Sequence, residues 1–267
     1  MDASLSLINQ GNTAEIYDMG GGKILKLFKE GISAETCRRE FENTRAAGAL
    51  LGNVPRAFEE ITLNGRPGIV YEKVIGTNML DHMLSHIWTI RSQSVNLAEY
   101  HAGIQKEVQA EMPSVKAKLG RDILAATFLT AEEKDKVLSR MQTLPDGNRL
   151  CHFDFHPGNI IFAEGGPVII DWMTACKGDP AADAARTRMM LKYGLVPRAS
   201  KWVQAAAHAV QSYIYRIYSK HYLKITGIKK ADVQKWELPI AAARLHEWIS
   251  EEEKTALLNF IRRELAV

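Results

Sequence analysis

Between residues 150 and 172 the chain sets two aspartates, one asparagine and two histidines among short apolar runs. The run is Leu150-Cys151-His152-Phe153-Asp154-Phe155-His156-Pro157-Gly158-Asn159, followed by Val168-Ile169-Ile170-Asp171-Trp172. Asn159 and Asp171 offer hard oxygen donors of the kind Mg²⁺ takes, few of which need come from the protein. The Pro157-Gly158 turn folds Asn159 back beside Asp154. A hairpin of Ile160–Phe162 with Val168–Ile170, turning at Gly165-Gly166, then returns the chain so that Asp171 points to the same place. A second chemistry competes for these residues. Cys151, His152, Asp154 and His156 are transition-metal ligands at close spacing, and alternation along an extended segment puts His152, Asp154 and His156 on one side, as in a metal-dependent hydrolase. That alternative leaves Asn159 and Asp171 without work, and no second His-rich cluster completes a dinuclear centre.

Asp154 and Asn159 have the D-x-x-x-x-N spacing of a kinase catalytic loop, in which the Asp accepts the substrate hydroxyl proton and the Asn holds Mg²⁺. Here the chain resembles the aminoglycoside phosphotransferase and choline kinase-like family of small-molecule kinases. The family signature H-G-D-x-x-x-x-N then I-D-W stands as His152-Phe153-Asp154, Asn159 and Ile170-Asp171-Trp172, with Phe153 in place of the usual Gly or Arg. Gly178-Asp179-Pro180-Ala181-Ala182-Asp183-Ala184 is similar to the family's G-D-P-x-x-D-x-A segment. The resemblance implies an α+β, two-lobe protein-kinase-like fold and transfer of the γ-phosphate of ATP, with GTP as the other donor, to a hydroxyl of a small molecule. Asp154 would be the catalytic base, and Asn159 and Asp171 would be the Mg²⁺ ligands. His152 would hold the loop through hydrogen bonds to Asp179 or Asp183, and Asp179 also suits a helix cap. A nucleotide-binding pseudokinase is a third reading, against which the intact Asp154, Asn159 and Asp171 argue. A protein kinase is disfavoured because Trp172-Met173 follows Asp171, no A-P-E occurs, and a helix is expected about ten residues on.

Composition sets looser bounds. The chain has 267 residues, enough for one large domain or two lobes. Its hydrophobic and charged fractions are those of an ordinary soluble protein. A net charge of +3 gives no reason to invoke nucleic acid, although it suits an anionic nucleotide. Cys37, Cys151 and Cys176 are odd in number and far apart, which argues for a reducing compartment. With no apolar run near 18 residues and no signal peptide at the start, the expectation is a cytoplasmic protein without membrane association.

The elements that must position these residues divide at about residue 75. From Ser4 to Lys73 the pattern predicts β-β-β-α-β-β, with a turn at Gly20-Gly21-Gly22, a third strand Lys23–Phe28, a helix from Ala34 to about Ala47 capped by Ser33, and a hairpin across Asn64-Gly65. This 1–75 segment is expected to be a nucleotide-binding lobe, and 76–267 a helical lobe with the catalytic loop and substrate pocket. Lys26 lies mid-strand among apolar residues, where an ammonium needs a partner. By analogy with kinases that partner is a helix Glu, and at 100° per residue Glu40 shares the arc of Cys37, Phe41, Thr44 and Ala47 while Glu42 faces away. Gly11, Asn12 and Thr13 occupy the turn where a kinase covers phosphates. Tyr71 to Val74, including Glu72 and Val74, would meet adenine as a hinge. Helices are expected over Met79–His86, Ser94 to about Val108, Val115–Phe128, Thr130 to about Leu144, Ala181–Tyr193, Ser200–Tyr222, Ala231–Leu245 and Ser250–Leu265, with capping boxes at Thr130 and Ser250. His101 is expected to pack in a helix interface. Aminoglycosides and choline are cations, so an acceptor site for them would be acidic or aromatic. Glu237, Glu247 and the tyrosines at 213, 215, 218 and 222 are its candidates.

Overall fold

A computed structural model describes residues 5–194 and 201–266. The expected starts at Ser4 and Ser200 lie outside the described residues. The chain forms two compact units. One contains the chain up to His82 together with Pro157–Ala175; the other contains Met83–His156 together with Cys176 onward. Residues 157–175 therefore group with the amino-terminal part of the chain, although the sequence had suggested one boundary near residue 75.

The first unit is built on a five-stranded antiparallel sheet of β1 (Ser6–Gln10), β2 (Ala14–Gly20), β3 (Lys23–Phe28), β4 (Ala57–Leu63) and β5 (Arg66–Glu72), in the order β1-β2-β3-β5-β4. Side chains alternate across it, as a strand requires. Leu25, Leu27 and Val70 pack on one face with Tyr17 and Phe58. Phe28, Ile69 and Tyr71 pack with Cys37 and Phe41 of α1 (Ala34–Leu50) on the other. Ser33 caps α1 by accepting the Thr36 amide at 3.2 Å. Its buried stripe is Cys37, Glu40, Asn43, Thr44 and Ala47, a 3.6-residue period. Asn64 and Gly65 both have positive φ, 51° and 76°, which is the type I′ geometry their sequence calls for. A second sheet pairs β6 (Gly76–Asn78) with β8 (Ile160–Ala163), and β8 with β9 (Gly166–Ile169). A Cβ at Gly76 would lie 2.2 Å from the Phe162 carbonyl oxygen, so only glycine allows this approach.

In chain order the helices are α2 (Met79–Ser85), α3 (Ile90–Ile104), α4 (Val115–Ala125), α5 (Ala131–Gln142), α6 (Pro180–Tyr193), α7 (Lys201–Thr226), α8 (Lys230–Arg244) and α9 (Glu251–Leu265). In the second unit α3 packs on α7 and α6 on α8. α6 and α8 are buried almost all round, so neither shows the one-sided apolar pattern of a surface helix. Strand β7 (Arg149–Cys151) pairs antiparallel with β10 (Cys176–Gly178). Thr130 and Glu133 form the expected capping box. At α9 only half of one forms: Ser250 accepts the Glu253 amide, while the Glu253 carboxylate pairs with Arg244. Among the described residues no helix is long and apolar enough to cross a membrane.

Candidate active site

In the first unit, alternation along β3 turns Lys26 toward α1, where the helical period has brought Glu40 to the inner face. Lys26 Nζ donates to Glu40 Oε1 at 2.7 Å and to Asp171 Oδ1 at 3.1 Å. Lys26 and Glu40 are buried, whereas the Asp171 side chain is about one-third exposed. Glu42, on the opposite side of α1, is exposed. Burial works against the Lys26 ammonium, but the carboxylates of Asp171 and Glu40 outweigh it and hold its pKa above the usual lysine value. Burial raises Glu40 despite the facing lysine. Tyr71 donates its phenol to the same Glu40 oxygen at 3.0 Å, a contact the sequence reasoning did not foresee.

Asp171 is placed by three local features. Ile170 N–H donates to the Asn159 carbonyl at 3.0 Å, closing β8 against the end of β9. Asp171 itself has φ 64°, a left-handed conformation that Asp tolerates better than most residues. Asn43 of α1 donates to the carbonyls of Trp172 at 3.2 Å and Ala175 at 3.1 Å, tying down the chain beyond it. Asn159 and Asp171 thus sit at adjoining ends of one hairpin. An amide oxygen and a partly exposed carboxylate suit a hard divalent cation that keeps most of its shell from water and phosphate.

The other expected nucleotide contacts lie elsewhere in this unit. Gly11, Asn12 and Thr13 form the turn between β1 and β2, which Lys29 closes by donating to the Gly11 carbonyl at 2.7 Å. Glu72 exchanges contacts with Arg56, its amide donating to the Arg56 carbonyl at 2.9 Å and its carboxylate accepting the Arg56 amide at 3.2 Å. Glu72 and Val74 line a cavity of about 390 Å³ with Asn53, Pro55, Glu164 and Val168.

In the second unit, the loop after β7 hangs on Asp183 of α6. This carboxylate has no exposure and accepts the amides of His152 and Phe153, each at 2.9 Å. His101 of α3 lies with Nε2 2.9 Å from Asp183 Oδ2 and Nδ1 2.6 Å from the Tyr218 hydroxyl, and its ring stacks on Phe155. Burial tends to raise Asp183, but His101 and the loop amides outweigh it and leave its pKa below the usual carboxylate range. Of the two partners left open for His152, Asp183 is the one that holds its backbone, while the His152 ring accepts the Asp154 amide at 3.3 Å. Asp179 caps α6 by accepting the Ala181 amide and also accepts the Trp236 indole N–H. Phe153 has φ 63°, a real outlier for an aromatic residue, with its side chain buried. That backbone geometry accounts physically for glycine as the usual residue in the signature.

Asp154 therefore leaves a loop fixed at both flanks, since Thr187 donates to the Phe155 carbonyl at 2.9 Å. Burial would raise its pKa, but His156 at 3.7 Å, Arg186 and His152 together hold it well below the usual range. It is a carboxylate at any physiological pH. Arg186 donates from Nε to the Phe153 carbonyl at 3.2 Å and from its two terminal nitrogens to Glu247 at 2.5 and 3.0 Å. Among the described residues no three His, Cys, Asp or Glu side chains converge to hold a metal. The hydrolase alternative therefore lacks its ligand set.

A family model described as the phosphotransferase enzyme family matches residues 4–216. A search of curated protein sequences gives no match. Among solved structures, a thermostable mutant of aminoglycoside phosphotransferase APH(4)-Ia, in ternary complex with AMP-PNP and hygromycin B, aligns with TM-score 0.61 at 13% identity, covering 99% of this chain and 92% of that one. A choline/ethanolamine kinase family protein from Mesorhizobium loti aligns with TM-score 0.56 at 14% identity, covering 99% and 88%. Choline kinase from Cryptosporidium parvum aligns with TM-score 0.58 at 11% identity, covering 98% and 90%. At such identities the likeness is one of fold, and the fold is the α+β kinase-like one.

Proposed function

Since the chain belongs to the phosphotransferase enzyme family, we propose that it moves the γ-phosphate of ATP, or of GTP, to a hydroxyl of a small molecule in a Mg²⁺-dependent reaction. The observation that carries this reading is the buried lysine of β3, bonded at once to the glutamate of α1 and to the aspartate that follows β9. A buried ammonium is expensive unless it is paired. Joining the signature carboxylate to a strand lysine and a helix glutamate is the arrangement phosphate recognition needs.

In this mechanism Asp154 accepts a hydrogen bond from the acceptor hydroxyl, aims its oxygen at the terminal phosphorus and takes up the proton as the bond forms. Its depressed pKa suits orientation more than strong basicity. Lys26, held by Glu40, would neutralise phosphate oxygens, and Tyr71 keeps Glu40 in place. Asn159 and Asp171 would hold Mg²⁺, which would offset the negative charge of the phosphates. The Gly11–Thr13 turn would offer backbone N–H groups to phosphate, and the chain from Glu72 to Val74 would meet the base. The segments 1–75 and 76–267 serve in this scheme as nucleotide-binding and acceptor-binding lobes.

The test is Asp154→Ala. Phosphate transfer should be abolished while ATP binding, followed by calorimetry, stays within about twofold of wild type. Turnover at the wild-type rate would refute the assignment, and loss of turnover on chelating Mg²⁺ should accompany it.

A further inference from the structure

In the helical unit the carboxylates that the sequence offers to a cationic acceptor are already engaged. Glu247 takes two nitrogens of Arg186, at 2.5 and 3.0 Å, and a third contact from Arg244 at 3.3 Å. Glu237 accepts two bonds from Arg188, at 3.0 and 3.2 Å, and Arg188 also donates to Tyr215 at 2.8 Å. Glu253 pairs with Arg244, and Asp183 is closed by His101 and two backbone amides. The guanidinium of Arg186 is bonded to the backbone of the Asp154 loop itself, so the Glu247 that it holds is engaged next to that loop. Of the tyrosines on α7, Tyr218 and Tyr222 are fully packed.

The charge census agrees with these contacts. Residues 83–156 and 176–267 carry 25 Lys and Arg against 18 Asp and Glu, whereas the rest of the chain carries 9 against 13. A polyamino sugar brings several ammonium groups, each of which needs a carboxylate when it leaves water. Freeing Glu237 or Glu247 for that purpose would strand a buried arginine.

Building on the phosphotransferase reading, we propose that the acceptor is a sugar-like or acidic alcohol with no net positive charge, and that the helical unit selects against polycations such as aminoglycosides. Arg186 and Arg188 enforce this by occupying the acids that a cation would use, and the unit's excess of basic over acidic residues favours an anionic substituent.

A matched series tests the proposal on the whole chain loaded with AMP-PNP and Mg²⁺. Gluconate, glucitol and glucamine share one carbon skeleton and differ by one charge step each. Their affinities can be ranked by saturation-transfer NMR titration. We expect gluconate to bind at least as tightly as glucitol, and glucamine to bind about threefold or more weaker, with the differences shrinking in 0.5 M salt. Tightest binding by glucamine, affinities blind to charge, or no binding by any of the three would overturn the proposal. ADP release with ATP in place of AMP-PNP separates it from the broader reading. Faster release with kanamycin or glucamine than with gluconate or glucitol would sink the acceptor class and keep the kinase. The expected binding order without ADP release from any alcohol would keep the charge selection and sink the kinase.

Discussion

Replacing Asp183 by Asn keeps the side-chain volume and removes the charge that holds the loop carrying Asp154. Two amide donors and His101 all lie 2.9 Å from its oxygens, in a site without solvent exposure. Whichever oxygen becomes the NH₂ group, a donor then faces a donor. Hydrogen bonds to a charged group are worth about 1.5–3 kcal/mol each, and breaking a buried pair by altering one partner costs about 3–5 kcal/mol. These contacts share one carboxylate and do not add, so the net loss should be about 3–5 kcal/mol, or about 6–20 °C in Tm. The pH dependence has a definite sign. The folded-state pKa of Asp183 is depressed, so its contribution is fully present above the unfolded carboxylate value of about 4. It is lost only as pH falls through the lower folded value. The gap between wild type and Asp183→Asn should therefore not close between pH 7 and pH 5, and should close only in stronger acid. Thermal unfolding followed by circular dichroism at several pH values measures it. A loss below about 1 kcal/mol at pH 7, or a gap that closes between pH 7 and pH 5, would refute the argument.

Tyr71→Phe removes one neutral donor from Glu40 and should cost about 1 kcal/mol of stability. Because its effect runs through Lys26, KM for nucleotide should rise a few-fold with kcat less affected; unchanged kinetics would make the contact merely structural. Phe153→Gly relieves a left-handed strain of about 1–2 kcal/mol but deletes a buried ring worth about 3–5 kcal/mol. It should therefore destabilise by about 1–4 kcal/mol in chemical denaturation, and a more stable variant would show that the ring packs poorly. Cys37, Cys151 and Cys176 are buried, and burial pushes the Cys37 thiol up to about 12. All three should resist a thiol reagent at pH 8 until denaturant is added, and rapid labelling of the native protein would contradict their burial.

Much of the first unit was legible because its signals are local. The Asn64-Gly65 turn, the alternation of Lys23–Phe28 and the angular position of Glu40 each follow from period or backbone chemistry alone. The three-residue strands β6, β7 and β10 were missed, since so short a stretch has no period and exists only through its partner. Helix α3 begins at Ile90 and ends at Ile104, four residues earlier at each end than expected, because the apolar stripe does not mark where backbone pairing stops. Asp183 was one of two candidates for the loop anchor. Nothing local separates it from Asp179, and the choice is made by the approach of His101 from another helix. Glu237 and Glu247 looked available for a cation because Arg188 and Arg186, which make two contacts each to them, lie 49 and 61 residues away in sequence.

The chain passes from one compact unit to the other at His82, at His156 and again at Ala175. Neither unit is a continuous stretch of the gene. A fragment ending at residue 82 would keep β6 but lack the two strands that complete its sheet, along with the aspartate that Lys26 holds. Evolution could not have exchanged the lysine-bearing portion between relatives by a single crossover without also carrying the hairpin encoded some eighty residues downstream.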